Sequence, residues 1–126
     1  MNIWISIGIV ILVLAIYILV NYFINRKTVT ELSQEDFQKD MRRAQLIDLR
    51  EKVDYDYGHI NGARNIPMSI FRTRMTGLRK DQPIYFIDAN GIASYRAARM
   101  LKKHGYTNMY MLKGGYKQYT GKIKTK

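Results

Sequence analysis

The sequence predicts a small α/β domain with a mostly parallel central sheet, preceded by one transmembrane helix. Three observations lead there. The first 25 residues carry no charged side chain, and 3–24 are almost wholly apolar. Three short apolar runs follow, at 45–49, 84–87 and 108–112. The stretches between them carry helix-start and helix-stop residues. Buried strands alternating with helices make a parallel sheet covered on both faces. The part beyond the apolar stretch, about 100 residues, is the usual size for one core.

Residues 3–24 are long enough to cross a hydrocarbon layer of about 30 Å as a helix. Fifteen of them are Ile, Leu, Val or Phe, which outweigh Ser6, Gly8 and Asn21. Trp4, Tyr17, Tyr22 and Phe23 lie toward the ends, where aromatic rings favour the membrane interface. The many β-branched residues favour strand in water, but a lone strand in lipid leaves its backbone polar groups unsatisfied, so helix wins. A cleaved signal peptide is opposed by three features: no basic start, too long an apolar run, and no small-x-small site before Arg26. The expectation is an anchor at 1–25 and a folded domain at 26–126. Arg26 and Lys27 follow the span directly, so the positive-inside rule places the domain in the cytoplasm of a single-pass cell-membrane protein.

The net charge of +11 belongs entirely to the part after the anchor. Lys and Arg are spread through it without a nucleic-acid-binding motif, which argues against nucleic acid as a partner. A basic surface beside an anionic leaflet fits better, including a tail with Lys122, Lys124 and Lys126; each basic residue near such a surface contributes about 1 kcal/mol. The expected partners are the membrane, through the helix, anionic lipids and a protein that the sequence does not name.

Taken in order, residues 28–32 read as a short strand. Ser33 is a helix N-cap, with Asp36 completing a variant capping box, and Phe37 and Met41 share one face of the helix. The run 45–49 is a buried strand. Residues 51–57 form a turn or two of helix that Gly58 ends. Pro67 opens a helix through Ile70, Phe71 and Met75. A second strand follows at 84–87. Residues 92–104 form an amphipathic helix with Ala97, Ala98 and Leu101 on one side, stopped by Gly105. A third strand at 108–112 leads into Gly114-Gly115. The linker at 24–28 is too short for the domain to roam.

Residues 46–67 read LIDLREKVDYDYGHINGARNIP. This stretch closely resembles the N-terminal signature of rhodanese-like domains. Two more blocks match in order: Ile84 to Leu101, then Gly105-Tyr106 through Leu112-Lys113-Gly114-Gly115. The resemblance covers roughly Val29 to Tyr119 and implies a three-layer fold with a central parallel sheet. It also implies sulfur transfer on a cysteine at the end of the strand matching 84–87. In such enzymes, inward-pointing N–H groups and a helix N-terminus hold an anion and favour a thiolate.

This chain has no cysteine. The loop reads Asp88-Ala89-Asn90-Gly91-Ile92-Ala93-Ser94, which puts Asp88 at the nucleophile position and Ala93 where the family often has arginine. The resemblance therefore implies a degenerate active-site loop without a catalytic residue. Asp88's carboxylate is expected to sit in the cradle as a built-in anion. The expected function is a binding or scaffolding module. Two alternatives stand beside it: residual sulfur or phosphoryl transfer using Asp88, and a basic lipid- or nucleic-acid-binding domain. Asp48, Arg50, Gly58, His59 and Gly62 of the first motif read as structural, the polar ones satisfying each other and loop backbone. His104 complements a helix end. Two histidines and no cysteine offer no metal-ligand cluster, and no cofactor is implied. Tyr106, Tyr110, Tyr116 and Tyr119 suit either the core or a partner surface, and family members often have tryptophan about where Tyr119 stands.

Overall fold

The computed structural model describes residues 2–125, and the side chains of these apart from 24–27. The first helix, α1, spans Ile3–Thr28. Its part Ile3–Phe23 is long and apolar enough to cross a membrane, and none of its residues is buried inside the fold. No linker at 24–28 exists, because the helix continues straight to Thr28. It ends where the β-branched sequence Thr28-Val29-Thr30 favours extended chain, and Val29 leads into strand β1, Thr30–Leu32. Thr28 and Val29 are already buried, so the domain starts where the helix stops. The side chains of Arg26 and Lys27, and all of Lys126, lie outside the described residues.

Five strands form one parallel sheet in the order β1-β6-β5-β2-β4. Here β2 is Gln45–Asp48, β4 is Arg64–Asn65, β5 is Ile84–Ile87 and β6 is Met109–Leu112. The register places Asp48 opposite Ile87, and Ile84 opposite Met109. The strand period of two divides each run between two cores. Ile47, Phe86 and Met111 point to one face and meet Phe71, Ala97 and Leu101. Leu46, Tyr85, Ile87 and Leu112 point to the other and meet Phe37 and Ile60. These are the three layers.

Ser33 caps α2, Gln34–Asp40, through its hydroxyl oxygen, which accepts the Asp36 N–H at 3.2 Å. Phe37 is fully buried and lies against the Tyr85 ring. Helix α5, Ala93–Lys102, buries Ser94, Ala97, Ala98 and Leu101, and Gly105 at φ +90° ends it as expected.

Two further expectations are corrected. The helix after Pro67 is broken into a 3-10 turn at Met68–Ile70, the four-residue α4 at Phe71–Arg74, and another 3-10 turn at Met75–Gly77. Ile70 takes a non-helical conformation there, while Phe71 and Met75 still reach the core. Gly58 ends α3, Lys52–Tyr57, as expected, in an extended conformation. It is small because an added Cβ would stand 2.9 Å from the Tyr116 hydroxyl. Finally, the tail that carries Lys122 and Lys124 is tied to the domain: β7, Ile123–Lys124, pairs antiparallel with β3, His59–Ile60.

Candidate functional site

Two neighbouring strands each lead into a buried aspartate. Asp48 ends β2 and Asp88 follows β5, and the two are 0% and 2% exposed. In an open parallel sheet, the C-terminal strand ends are where ligands usually bind. Both aspartates therefore stand at the edge that matters for function.

Asp88 is held by the loop that follows it. The Gly91 N–H donates to Asp88 Oδ1. The Ser94 N–H donates to Oδ2 at 2.8 Å, and the Ser94 hydroxyl donates to the same oxygen at 2.7 Å. Gly91 makes this possible at φ +87°, a region that side chains rarely adopt. Ile92, at the N-cap of α5, provides no capping side chain, so Asp88 caps the helix from four residues upstream. Ser94 is 1% exposed, and this bond satisfies its hydroxyl. The cradle is thus occupied by the chain's own carboxylate. Asn90 and Ala93 line an open groove just outside it, with Ile92, Arg96 and Arg99, and Ala89 accepts the Lys117 N–H through its carbonyl at 3.1 Å.

The Gly-Gly turn seats the loop from behind. The Tyr116 N–H donates to the Asp88 carbonyl at 2.7 Å. Gly115 approaches so closely that an added Cβ would meet Asn90 N at 2.6 Å and the Asp88 carbonyl oxygen at 2.7 Å. Its φ of +70° and ψ of −170° belong to a region reserved for glycine.

Asp48 is satisfied differently. It forms a buried ion pair with Arg50, whose Nη2 lies 2.9 Å from Oδ2 and whose Nε lies 3.1 Å from Oδ1. The same Nη2 donates to the Gly58 carbonyl at 2.7 Å, so one guanidinium ties β2 to the end of α3. The guanidinium also lies 3.8 Å from the centre of the Tyr116 ring, a cation–π contact. His59 stacks on Tyr55 at 3.8 Å, and its Nδ1 donates to the Tyr55 carbonyl at 2.7 Å, since a carbonyl only accepts. Burial pushes the Tyr55 phenol above its ordinary pKa, helped by the charges of Asp48 and Asp56. Its hydroxyl donates to the Ala63 carbonyl. Gly62, at φ +92°, makes the turn between β3 and β4.

The structure therefore brings 88, 91 and 94 together in one cradle, and 48, 50 and 58 together in one clamp. His59 and Gly62 shape the adjoining turn. Tyr116 joins the two clusters, through its backbone to Asp88 and its ring to Arg50; sequence reading left it among the ambiguous tyrosines. The signal was its position directly after Gly114-Gly115. His104 Nδ1 donates to the Met100 carbonyl at 3.0 Å, in the last turn of α5.

Comparison with known proteins decides the family. The model of the rhodanese-like domain matches residues 29–122. The chain belongs to the rhodanese-like domain family. YqhL, an uncharacterized protein of Bacillus subtilis, is 44% identical over 111 residues, covering 88% of each chain. YrkF, described as a candidate sulfur carrier protein of the same organism, is 31% identical over 101 residues, 78% of this chain and 55% of YrkF. The crystal structure of a rhodanese-related protein from Thermoplasma volcanium superposes with a TM-score of 0.70 at 23% identity, over 76% of this chain and 98% of that one. That likeness concerns the fold.

Proposed function

We propose that this protein is a single-pass membrane protein whose rhodanese-like domain faces the cytoplasm and acts as a binding or scaffolding module, without transferring sulfur. The observation that carries this reading is the Asp88 carboxylate in the cradle, with three hydrogen bonds from Gly91 and Ser94. Sulfur transfer in this fold needs a thiolate that an oxidised sulfur can be passed to, and the chain has no cysteine. A carboxylate forms no persulfide. Nor does Asp88 suit nucleophilic attack on phosphorus: it is 2% exposed and both its oxygens are engaged by the loop. The anchoring rests on the apolar span Ile3–Phe23, and the orientation on Arg26 and Lys27 following it.

The test is transfer of sulfur from thiosulfate to cyanide by the purified full chain. The wild type should show none above background. Asp88→Cys alone should restore little, because Ala93 supplies no cation for the anionic substrate. Asp88→Cys with Ala93→Arg should restore more. Robust transfer by the wild type would overturn the reading, and equal activity of the single and double variants would remove the role given to the missing arginine. For orientation, a cysteine placed at Thr125, beside Lys124, should resist a membrane-impermeant thiol reagent in intact cells; ready labelling would reverse the topology.

A further inference from the structure

We infer that the outer face of α5, beside the filled cradle, is a docking site for the phosphate of an anionic phospholipid in the bilayer that holds α1. The inference rests on the membrane-anchored reading above and adds a specific site and ligand to it.

The geometry begins at the junction of helix and domain. From Phe23, the end of the apolar span, to Thr28 is five helical residues, a rise of about 7.5 Å. The headgroup layer on each side of the hydrocarbon is about 5–7 Å thick. The domain, which begins at buried Val29, therefore starts within or just beyond the headgroups, and no flexible linker lets it leave. Its position is further set by α5. Tyr22, near the end of the apolar span, lines one small cavity together with Val29, Thr30, Glu31 and Tyr95. The Tyr95 hydroxyl donates to the Glu31 carboxylate, fixing this contact to β1. Tyr95 of α5 thus lies beside Tyr22, at the level of the membrane interface.

Tyr95 also lines the neighbouring groove, an open space of about 560 Å³ shared with Met68, Asn90, Ile92, Ala93, Arg96 and Arg99. Ile92, Arg96 and Arg99 recur at i, i+4 and i+7, the spacing of one helix face. All three are exposed, Ile92 at 69%. Neither arginine takes part in any salt bridge among the described residues. An exposed branched apolar side chain beside two uncompensated guanidinium groups matches a lipid at its interface: the isoleucine meets the acyl boundary and the arginines meet the phosphate oxygens, to which a guanidinium binds in a fork. This anion lies outside the cradle, which Asp88 fills.

The absence of cysteine makes the test clean, since each single introduced cysteine carries one label. The full chain is reconstituted in vesicles of phosphatidylcholine, with or without phosphatidylglycerol, and an environment-sensitive fluorophore is placed at Ile92→Cys. With phosphatidylglycerol the emission should shift to the blue and the label should become shielded from an aqueous quencher. A label at Tyr57→Cys, on the exposed end of α3, should stay aqueous in both. Adding Arg96→Gln and Arg99→Gln should weaken the phosphatidylglycerol effect about 30-fold, from about 1 kcal/mol per basic residue at an anionic surface. A label at Leu12→Cys reports on the anchor. If Leu12 is outside the hydrocarbon, the anchored reading fails and takes this site with it. If Leu12 is inside and the Ile92 label ignores phosphatidylglycerol or the arginine substitutions, this site alone is wrong. Inorganic phosphate added to phosphatidylcholine vesicles should leave the Ile92 label unchanged; a shift equal to that with phosphatidylglycerol would assign a soluble anion and overturn the lipid.

Discussion

Asp48 and Asp88 stand at the same end of adjacent parallel strands, equally buried, and are satisfied in opposite ways. Asp48 meets a cation: Arg50 binds both its oxygens and reaches on to the Gly58 carbonyl. Asp88 takes part in no salt bridge among the described residues; backbone N–H groups and one hydroxyl hold it. The first is a clamp in which a charge is cancelled by its opposite. The second is a polarised nest, in which partial positive charges at a helix start receive a full negative one. A clamp ties elements together and leaves nothing for a ligand. A nest is a binding site, and in this chain residue 88 is itself the anion that occupies it.

The comparison is broken most strongly at the clamp. Arg50→Ala leaves a fully buried Asp48 carboxylate without its counter-ion and the Gly58 carbonyl without its donor. Removing one partner of a buried pair costs about 3–5 kcal/mol. Thermal unfolding of the full chain in detergent, followed by circular dichroism, should show the largest loss of this set. A loss under about 1 kcal/mol would mean that the pair is screened like a surface ion pair.

The nest yields less. Asp88→Asn keeps the shape but turns an amide N–H₂ toward the donors Gly91 or Ser94, at a cost of about 1–3 kcal/mol by the same measurement. Ser94→Ala removes one of the three bonds to Asp88 and is expected to cost about 1 kcal/mol. A Ser94 effect larger than that of Asp88→Asn would contradict the carboxylate as the centre of the cradle.

The smallest effect is a pH slope. The Tyr55 phenol is raised above its ordinary value of 10.0, chiefly by burial and then by Asp48 and Asp56. Its neutral form is favoured in the folded state. That stabilisation is complete below the unfolded value and is lost as pH rises from about 10 through the folded value. Tyr55→Phe should therefore flatten the alkaline decline in melting temperature, and an unchanged slope would place the titration elsewhere.

Much of this was legible in the residues. The three apolar strand runs, the Ser33 cap and the Gly105 stop follow from local chemistry, and the structure has them where the pattern put them. Asp88 at the head of a glycine-containing loop was visible from motif order. What escaped was non-local. Strands of two residues, such as β3, β4 and β7, carry too little periodicity to be seen. The Tyr116 ring meets Arg50 across the fold, and the close approach of Gly115 to the Asp88 loop, which helps explain the glycine in that turn, is equally non-local. Gly58 ends α3 as the sequence predicts, but its neighbour across the fold, the Tyr116 hydroxyl, is not visible in the local pattern. The continuous helix to Thr28 was missed because a basic pair after an apolar run reads as a boundary, although Arg and Lys are good helix formers.

The central claim is that Asp88 is the anion of its own binding site, and anion-dependent stability tests it most directly. The melting temperature of the full chain is measured with increasing sulfate or thiosulfate against chloride at matched ionic strength, for the wild type and for Asp88→Ala. An anion that binds only the folded state stabilises it by RT ln(1 + [L]/Kd). With the carboxylate removed, the Gly91 and Ser94 N–H groups should donate to the added anion, and the melting temperature of Asp88→Ala should rise more steeply than that of the wild type, whose rise is the general stabilisation by sulfate. A wild-type melting temperature that rises with sulfate as steeply as that of Asp88→Ala, with Arg96→Gln and Arg99→Gln present in both to silence the outer face of α5, would contradict the account.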